Sequence, residues 1–254
     1  MTSTPDARFR TQTGFGIPLL LLFGTGIALG CFLYARETRQ IEQATRDRES
    51  LRVSLLARVA QTELHTTVNT LRLVTDSDSL RNFLSEPTPA HRSQVEQRVA
   101  FVSRLYPDFD KVRYIDELGH EVLRVNHGGV IVPLGELQDK SGRPFVHRAA
   151  GLAPTEVYVS AFDLNMDNGV IEMPFKPTLR FAVPVFDSGN RPRGITVINY
   201  LGGNLIQRLH ALTPPFAHRF RLLNAQGYWI SAARPEEEWG FLLPERKNSN
   251  LART

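Results

Sequence analysis

The chain is poor in cysteine, with Cys31 as its single representative, and that residue lies inside an apolar run. No disulfide framework and no cysteine-based zinc site can be assembled from one thiol. Charge of one sign is also missing: 30 Lys and Arg stand against 26 Asp and Glu, giving a net charge of +4 and a pI near 9.4, and the basic residues are scattered. Without a basic stripe, nucleic-acid binding is not expected. Nucleophile-elbow, phosphate-loop and paired-histidine signatures are absent, so the chain is not expected to be an enzyme. Ser160, Asp163 and His147 supply the residue types of a hydrolytic triad, but types without geometry do not make one. None of the seven histidines, His65, His91, His120, His127, His147, His210 and His218, falls at metal-ligand spacing on a helix, and neither a metal nor a cofactor is expected.

What is present begins with an uncharged apolar run over residues 14–35. Its 22 residues span about 33 Å as a helix, enough to cross a hydrocarbon core. A signal peptide has a shorter apolar stretch and a small-x-small cleavage site, so an uncleaved membrane anchor is expected, with residues 1–13 preceding it. Arg8 and Arg10 lie before the span and Arg36, Arg39, Arg46 and Arg48 after it. Counted alone, these lean against an N-terminus on the cytoplasmic side, so orientation must come from elsewhere.

Residues 36–86 contain neither glycine nor proline, and Leu51, Leu55, Val59, Leu64, Val68 and Leu71 follow helical spacing. One long amphipathic helix is expected, able to dimerise or to pack on a domain. Pro87 and Pro89 end it, and residues 91–105 predict a shorter helix.

After Pro107 the pattern becomes β-type, with runs at 111–116, 121–126, 130–133, 156–163, 178–186 and 194–200. These predict a mainly antiparallel sheet of five or six strands in an α+β fold. Gly119 suits a hairpin turn between the first two. Residues 142–150, with Ser141 as N-cap, and residues 202–212 predict two capping helices. Pro214 and Pro215 break the chain, and residues 220–224 and 228–232 begin a second strand, turn and strand. Only about 40 residues follow the break, too few for a second full sheet, so Thr254 is expected to be a boundary rather than a domain end. The segment from Asp163 to Gly169 has alternating oxygen ligands like a calcium loop, but lacks the later bidentate glutamate.

The ordered series Val112-Arg113-Tyr114-Ile115-Asp116-Glu117, Gly119, Glu121-Val122, Arg124-Val125, then Asp139-Lys140-Ser141-Gly142-Arg143-Pro144 continues through Val157-Tyr158-Val159-Ser160 and Asp163-Leu164-Asn165. It is completed by Pro174, Lys176-Pro177, Leu179 to Asp187, Arg193-Gly194-Ile195, Val197 and Asn199. Together these resemble the double Cache sensor domains, PAS-like modules found outside the membrane in bacterial histidine kinases, diguanylate cyclases and chemoreceptors. The resemblance covers residues 36–254. It implies an N-terminus inside and the bulk of the chain in the periplasm, a long helix at 36–86, a membrane-distal sensor domain at 87–213 and an incomplete proximal one at 214–254. The homodimer expected through 36–86 comes from that helix's apolar face.

The resemblance also implies a ligand site. Arg143-Pro144-Phe145 is similar to the arginine and aromatic pair of amino-acid-binding members. Where those members carry an aspartate for the ligand's ammonium group, this chain has Asn199. A small carboxylate without a free amine is therefore the expected ligand, since a guanidinium fork suits a carboxylate and asparagine has no charge for an ammonium. Tyr114, Tyr158, Ser160, Asp163 and Arg180 complete the expected site, subject to a strand register that decides which of them face it. Arg113 and Arg124 are expected to pair structurally with Asp116 or Glu121.

Overall fold

A computed structural model describes residues 16–167, 169–213, 220–247 and 249–250. The chain divides into two compact units, Met1–Leu55 and Leu56–Thr254. The first is helical from Gly16, the start of α1 (Gly16–Thr75). Leu20, Leu22, Phe23, Ile27, Leu29, Phe32 and Leu33 are all exposed, so apolar side chains surround the helix on every side. This helix is long and apolar enough to cross a membrane. Gly14 and Phe15 of the expected span, and residues 1–13, lie outside the described residues.

In the second unit the expected single helix over 36–86 is two: α1 stops at Thr75 and α2 (Asp78–Ser85) restarts at once. The break comes from side chains rather than from glycine or proline. Ser77 Oγ donates to Val74 O at 2.7 Å and accepts from Leu80 N at 3.3 Å, so one hydroxyl both closes α1 and caps α2. Thr88 caps α3 (Pro89–Leu105) in the same way through His91 N, with Pro89 in the first turn, where its missing N–H costs nothing.

The central sheet has seven strands: β1 (Phe109–Ile115), β2 (Glu121–Asn126), β3 (Val130–Ile131), β4 (Tyr158–Val159), β5 (Asp163–Leu164), β8 (Pro177–Phe186) and β9 (Pro192–Leu201). Its order is β3-β2-β1-β9-β8-β4, with β5 also on β8, and every pairing is antiparallel. The expected run at 156–163 is divided between β4 and β5. Ser160 Oγ accepts the Arg180 N–H at 2.9 Å, so a hydroxyl takes a bond the ladder would otherwise own. The calcium-like segment forms β5 and part of a hairpin, β6 (Met166–Asp167) with β7 (Val170–Ile171); Asn168 lies outside the described residues.

Two glycines fix close approaches. Gly119, at φ 91°, turns the β1–β2 hairpin, and a Cβ there would sit 2.5 Å from Ser141 Cα. Gly194, at φ 115°, lies so close to β1 that a Cβ would meet Ile115 O at 2.1 Å.

The helix α4 (Pro144–Ala150) is preceded by Arg143, not capped by Ser141 as expected. Pro144 holds Arg143 in an extended conformation at φ −90° and ψ 127°, and the Ser141 N–H is turned to Asp139 Oδ1 at 2.7 Å. After α5 (Gly202–Ala211), Pro214, Pro215 and His218 fall outside the described residues. The expected second strand, turn and strand is a short hairpin, β10 (Leu222–Leu223) with β11 (Trp229–Ser231), whose turn is held by Asn224 Oδ1 accepting from Gln226 N and Tyr228 N. Ile230, Trp239, Leu243 and Leu164 form a small core of their own there.

Strand alternation separates the two faces of the sheet. Val112, Tyr114, Leu123, Val125, Leu179, Phe181, Val183, Val185, Ile198 and Tyr200 join the main core with Leu71, Val74, Leu80, Val95 and Val99 from α1, α2 and α3. Ile115, Ala182, Ile195 and Val197 point the other way and are covered by Phe145, Val146 and Ala149 of α4.

Candidate functional site

The α4 face is only partly filled by that apolar cluster. Beside it lies a cavity of about 440 Å³ lined by Arg113, Gln138, Asp139, Lys140, Arg143, Phe145, Asn165, Met166, Gly169, Arg180 and Asn199. The sheet supplies its floor: Arg180 pairs across with Asn199, and Arg113 lies opposite Val197 one strand further on. The loop from Gln138 to Arg143 makes one wall, tied to the β1–β2 hairpin by Glu121 N to Gln138 O at 3.0 Å and Lys140 N to Gly119 O at 2.8 Å.

The floor is a polar chain. Arg113 Nη1 donates to Asn199 Oδ1 at 2.9 Å, Asn199 Nδ2 to Asn165 Oδ1 at 3.3 Å, and Asn165 Nδ2 to Glu172 Oε2 at 2.7 Å. Arg180 Nη1 donates to Asp163 Oδ2 at 3.0 Å. Behind the floor, Arg113 Nε lies 2.7 Å from Glu121 Oε1, close enough for an ion pair although not aligned as a hydrogen bond, and Arg124 Nη1 donates to Glu121 Oε2 at 3.0 Å. Burial pushes the Arg113 pKa down; Glu121 opposes that shift, while Arg124 and Arg180 reinforce it. Arg113 nevertheless stays protonated, as guanidinium groups in proteins do. On the rim, the backbone N–H of Ser141 holds the Asp139 carboxyl below its usual range.

Arg143 differs from the other two cavity arginines. Its half-buried guanidinium makes no hydrogen bond or ion pair among the described residues, so its donor fork is open to the cavity. Four cationic side chains and one carboxylate thus line the space; Arg113 and Arg180 face the carboxylates of Glu121 and Asp163, and Lys140 Nζ donates to Gln138 Oε1. Such a lining suits an anion.

Of the eight expected site residues, the fold brings Arg143, Phe145, Arg180 and Asn199 together at the cavity. Asp163 stands behind Arg180 as its partner, and Ser160 holds the Arg180 backbone. With these partners, neither Ser160 nor Asp163 addresses a histidine. Tyr158 packs on the Phe145 cluster beside the cavity. Tyr114 is a correction: alternation sends it through the sheet to the helix-side core, where its hydroxyl donates to Arg193 O at 2.6 Å and burial raises its pKa. Its neighbour Arg113 pairs with Glu121 as expected and is also the β1 residue that reaches the cavity. A charged residue mid-strand among apolar neighbours is the same signal that selected Arg180, and it was available for Arg113. Gln138, Lys140 and Asn165 carried no such signal.

A larger groove of about 760 Å³ runs along α1, α2 and α3, lined among others by Arg72, Asp76, Asp78 and Arg98. Its charges balance in sign, and Arg72 is already engaged with the carbonyls of Pro154 and Thr155. It lacks the convergence of the α4 cavity.

An antiparallel sheet with helices on one face and a polar, half-covered cavity on the other defines a PAS-like sensor module of the Cache type. The family described as "Bacterial histidine kinase, sensor domain" matches residues 55–254, and the chain belongs to that family. Solved structures agree on the fold. A domain of a putative sensory box/GGDEF family protein from Vibrio parahaemolyticus is similar at a TM-score of 0.69 and 23% identity, over 80% of this chain and 77% of that one. The extracellular domain of the putative histidine kinase vpHK1S-Z8 gives 0.68 and 23%, over 80% and 73%. The ligand-binding domain of the Campylobacter jejuni chemoreceptor Tlp3 in complex with L-norvaline gives 0.55 and 11%, over 77% and 72%. No curated protein matches the chain in sequence.

Proposed function

We propose that this chain is the membrane-anchored, extracytoplasmic input region of a bacterial signalling receptor, and that it binds a small carboxylate in the α4 cavity. The observation that carries the ligand class is the open guanidinium of Arg143 in a predominantly cationic cavity, next to a neutral Asn199 whose amide is already committed to Arg113 and Asn165. A carboxylate finds donors there. An ammonium group finds a single lining carboxylate, Asp139 on the rim, which already accepts from the Ser141 N–H at 2.7 Å and shares the cavity with four cations.

Anchoring rests on the apolar surface of α1 from Leu20 to Tyr34, which has no counterpart among soluble surface helices. The module then lies on the periplasmic side of the inner membrane, residues 87–213 form the sensor domain and residues 214–254 belong to a second one. Homodimerisation falls to the part of α1 whose apolar residues stay exposed, Leu51 and Leu55, because Val59, Leu64, Val68 and Leu71 pack on the core.

The test is a thermal-shift screen of the full chain in detergent against small carboxylates and their matching amides and amino acids. A ligand that binds only the folded state raises the melting temperature by mass action. A rise with one or more acids, absent with their amides and lost in Arg143→Ala, is the expected result. A folded protein that answers to none of them sinks the carboxylate reading and favours a module that recognises a protein partner.

A further inference from the structure

Glu121 is a residue the ligand reading leaves without a task. Its side chain is fully buried, at 0% exposure, between Arg113 and Arg124, whose side chains are 7% and 10% exposed. One carboxylate oxygen faces Arg113 Nε at 2.7 Å, and the other accepts from Arg124 Nη1 at 3.0 Å and from Gln138 N at 3.1 Å. Two guanidinium groups therefore share one carboxylate, which leaves a single net positive charge in this buried set. Of the three, only Arg113 lines the cavity; Glu121 and Arg124 stand behind it.

A buried charge acts at a distance because little solvent screens it. An anion arriving beside Arg113 thus meets the attraction of two guanidiniums and the repulsion of one carboxylate already in place. We propose that Glu121 is an internal counter-ion that competes with the bound anion for Arg113 and so sets how steeply affinity rises with the ligand's charge. Glu121 is thereby a specificity-determining residue that touches no ligand. Arg124, also outside the cavity lining, acts in the opposite sense. The inference rests on the reading of the α4 cavity as an anion site, and it makes a claim that reading does not: two residues outside the cavity change anion affinity in opposite directions.

Equilibrium dialysis of the full chain in detergent against acetate, malonate and citrate, at constant ionic strength, measures this. Glu121→Gln keeps the side chain's shape and an acceptor for Gln138 N but removes the charge. It is expected to tighten malonate by about tenfold, citrate by more and acetate by less, while lowering the melting temperature. Arg124→Gln is expected to weaken malonate by about tenfold. The double variant restores the single net charge and returns to within about threefold of the parent, a rescue that a merely structural role would not give.

If Glu121→Gln and Arg124→Gln both weaken binding and the double variant is worse than either, Glu121 is only a structural support and the inference is overturned. Should Glu121→Gln fail to fold, Arg124→Gln and the double variant still decide it: weakening followed by rescue upholds it, and weakening without rescue overturns it. A parent that binds none of the three anions overturns the cavity reading itself, whereas a parent that binds them with no opposed response in the variants overturns the counter-ion alone.

Discussion

The two faces of the β1, β9 and β8 ladder are built from alternate residues of the same strands, yet they do different work. Toward α1, α2 and α3 the strands present Val112, Tyr114, Leu179, Phe181, Val183, Ile198 and Tyr200, a continuous apolar layer. Toward α4 they present Ala182, Ile195 and Val197 at one end and Arg113, Arg180 and Asn199 at the other. The first face is closed by α1, α2, α3 and α5, and the second by one short helix that leaves a cavity. The difference shows how one sheet carries both fold and function: stability is concentrated where burial is complete, and chemistry is placed where it is not. Residues on the second face should therefore be cheaper to change for stability and dearer for binding.

The strongest challenge to that division is Phe181→Ala. Phe181 is fully buried against Tyr200 on the helix side, with ring centroids 6.2 Å apart. Truncation removes its buried surface and leaves a void, costing about 3–5 kcal/mol, which denaturant unfolding would measure. A loss below about 1 kcal/mol would mean the helix-side layer is not the main core.

Next in size is Asn199→Leu, on the other face of the same ladder. The change strips Arg113 Nη1 and Asn165 Oδ1 of their shared partner while conserving bulk. An expected cost of about 1–3 kcal/mol, measured by the same unfolding, would show that the cavity floor contributes to stability through its polar chain. Asn199→Asp sharpens the contrast. It gives Arg113 a second carboxylate, so carboxylate affinity should fall while affinity for ligands bearing an ammonium group rises, as a dialysis comparison of an acid and its α-amino derivative would detect.

Much of this arrangement was readable before any coordinates, and the parts that were not have identifiable causes. The sheet, the apolar first helix and a shorter helix after the prolines follow from periodicity and turn residues, although α3 begins at Pro89, two residues before the expected His91. The Arg143 and Phe145 pair follows from the family resemblance. The missed features are those set by one atom or by register. A single hydroxyl, that of Ser77, divides the expected long helix, and the serine at 160 divides an expected strand through its bond to the Arg180 N–H. Tyr114 and Arg113 exchange roles because the inward face of β1 depends on a register that composition does not reveal. Gln138 and Asn165 reach the cavity only because the hairpin and the β5 edge bring distant loops to it.

A smaller effect is expected where the helix-side face turns polar at its edge. Tyr200, next to Asn199 on β9, points away from the cavity; its hydroxyl donates to Glu63 Oε2 at 3.1 Å and accepts from Arg208 Nη2 at 2.6 Å, and Arg208 also reaches Asp108 at 2.9 Å. Burial raises the Tyr200 pKa, so the hydroxyl remains a neutral donor at ordinary pH. Tyr200→Phe should cost about 1 kcal/mol, because Arg208 and Glu63 keep their own 2.9 Å contact and neither is stranded. Denaturant unfolding again reads it, and a cost matching that of Phe181→Ala would erase the distinction between the interior of that face and its edge.

The smallest stability effect belongs to Arg143, and it is the most telling for the comparison. The Arg143 guanidinium is half-buried and makes no hydrogen bond or ion pair among the described residues, while its backbone is held by Arg143 N donating to Lys140 O at 2.9 Å, by Val146 N donating to Arg143 O at 3.0 Å and by Pro144 after it. Removing its side chain breaks no internal contact of consequence, so Arg143→Ala should change the unfolding free energy by less than about 0.5 kcal/mol. A carboxylate held by that guanidinium gains a charge-assisted hydrogen bond, and its loss should weaken binding by about 1.5–3 kcal/mol in a dialysis measurement. The two numbers together separate a residue kept for its ligand from one kept for the fold. If stability falls and affinity does not, Arg143 serves the scaffold, and the open side of the sheet loses its claim to be the sensing side.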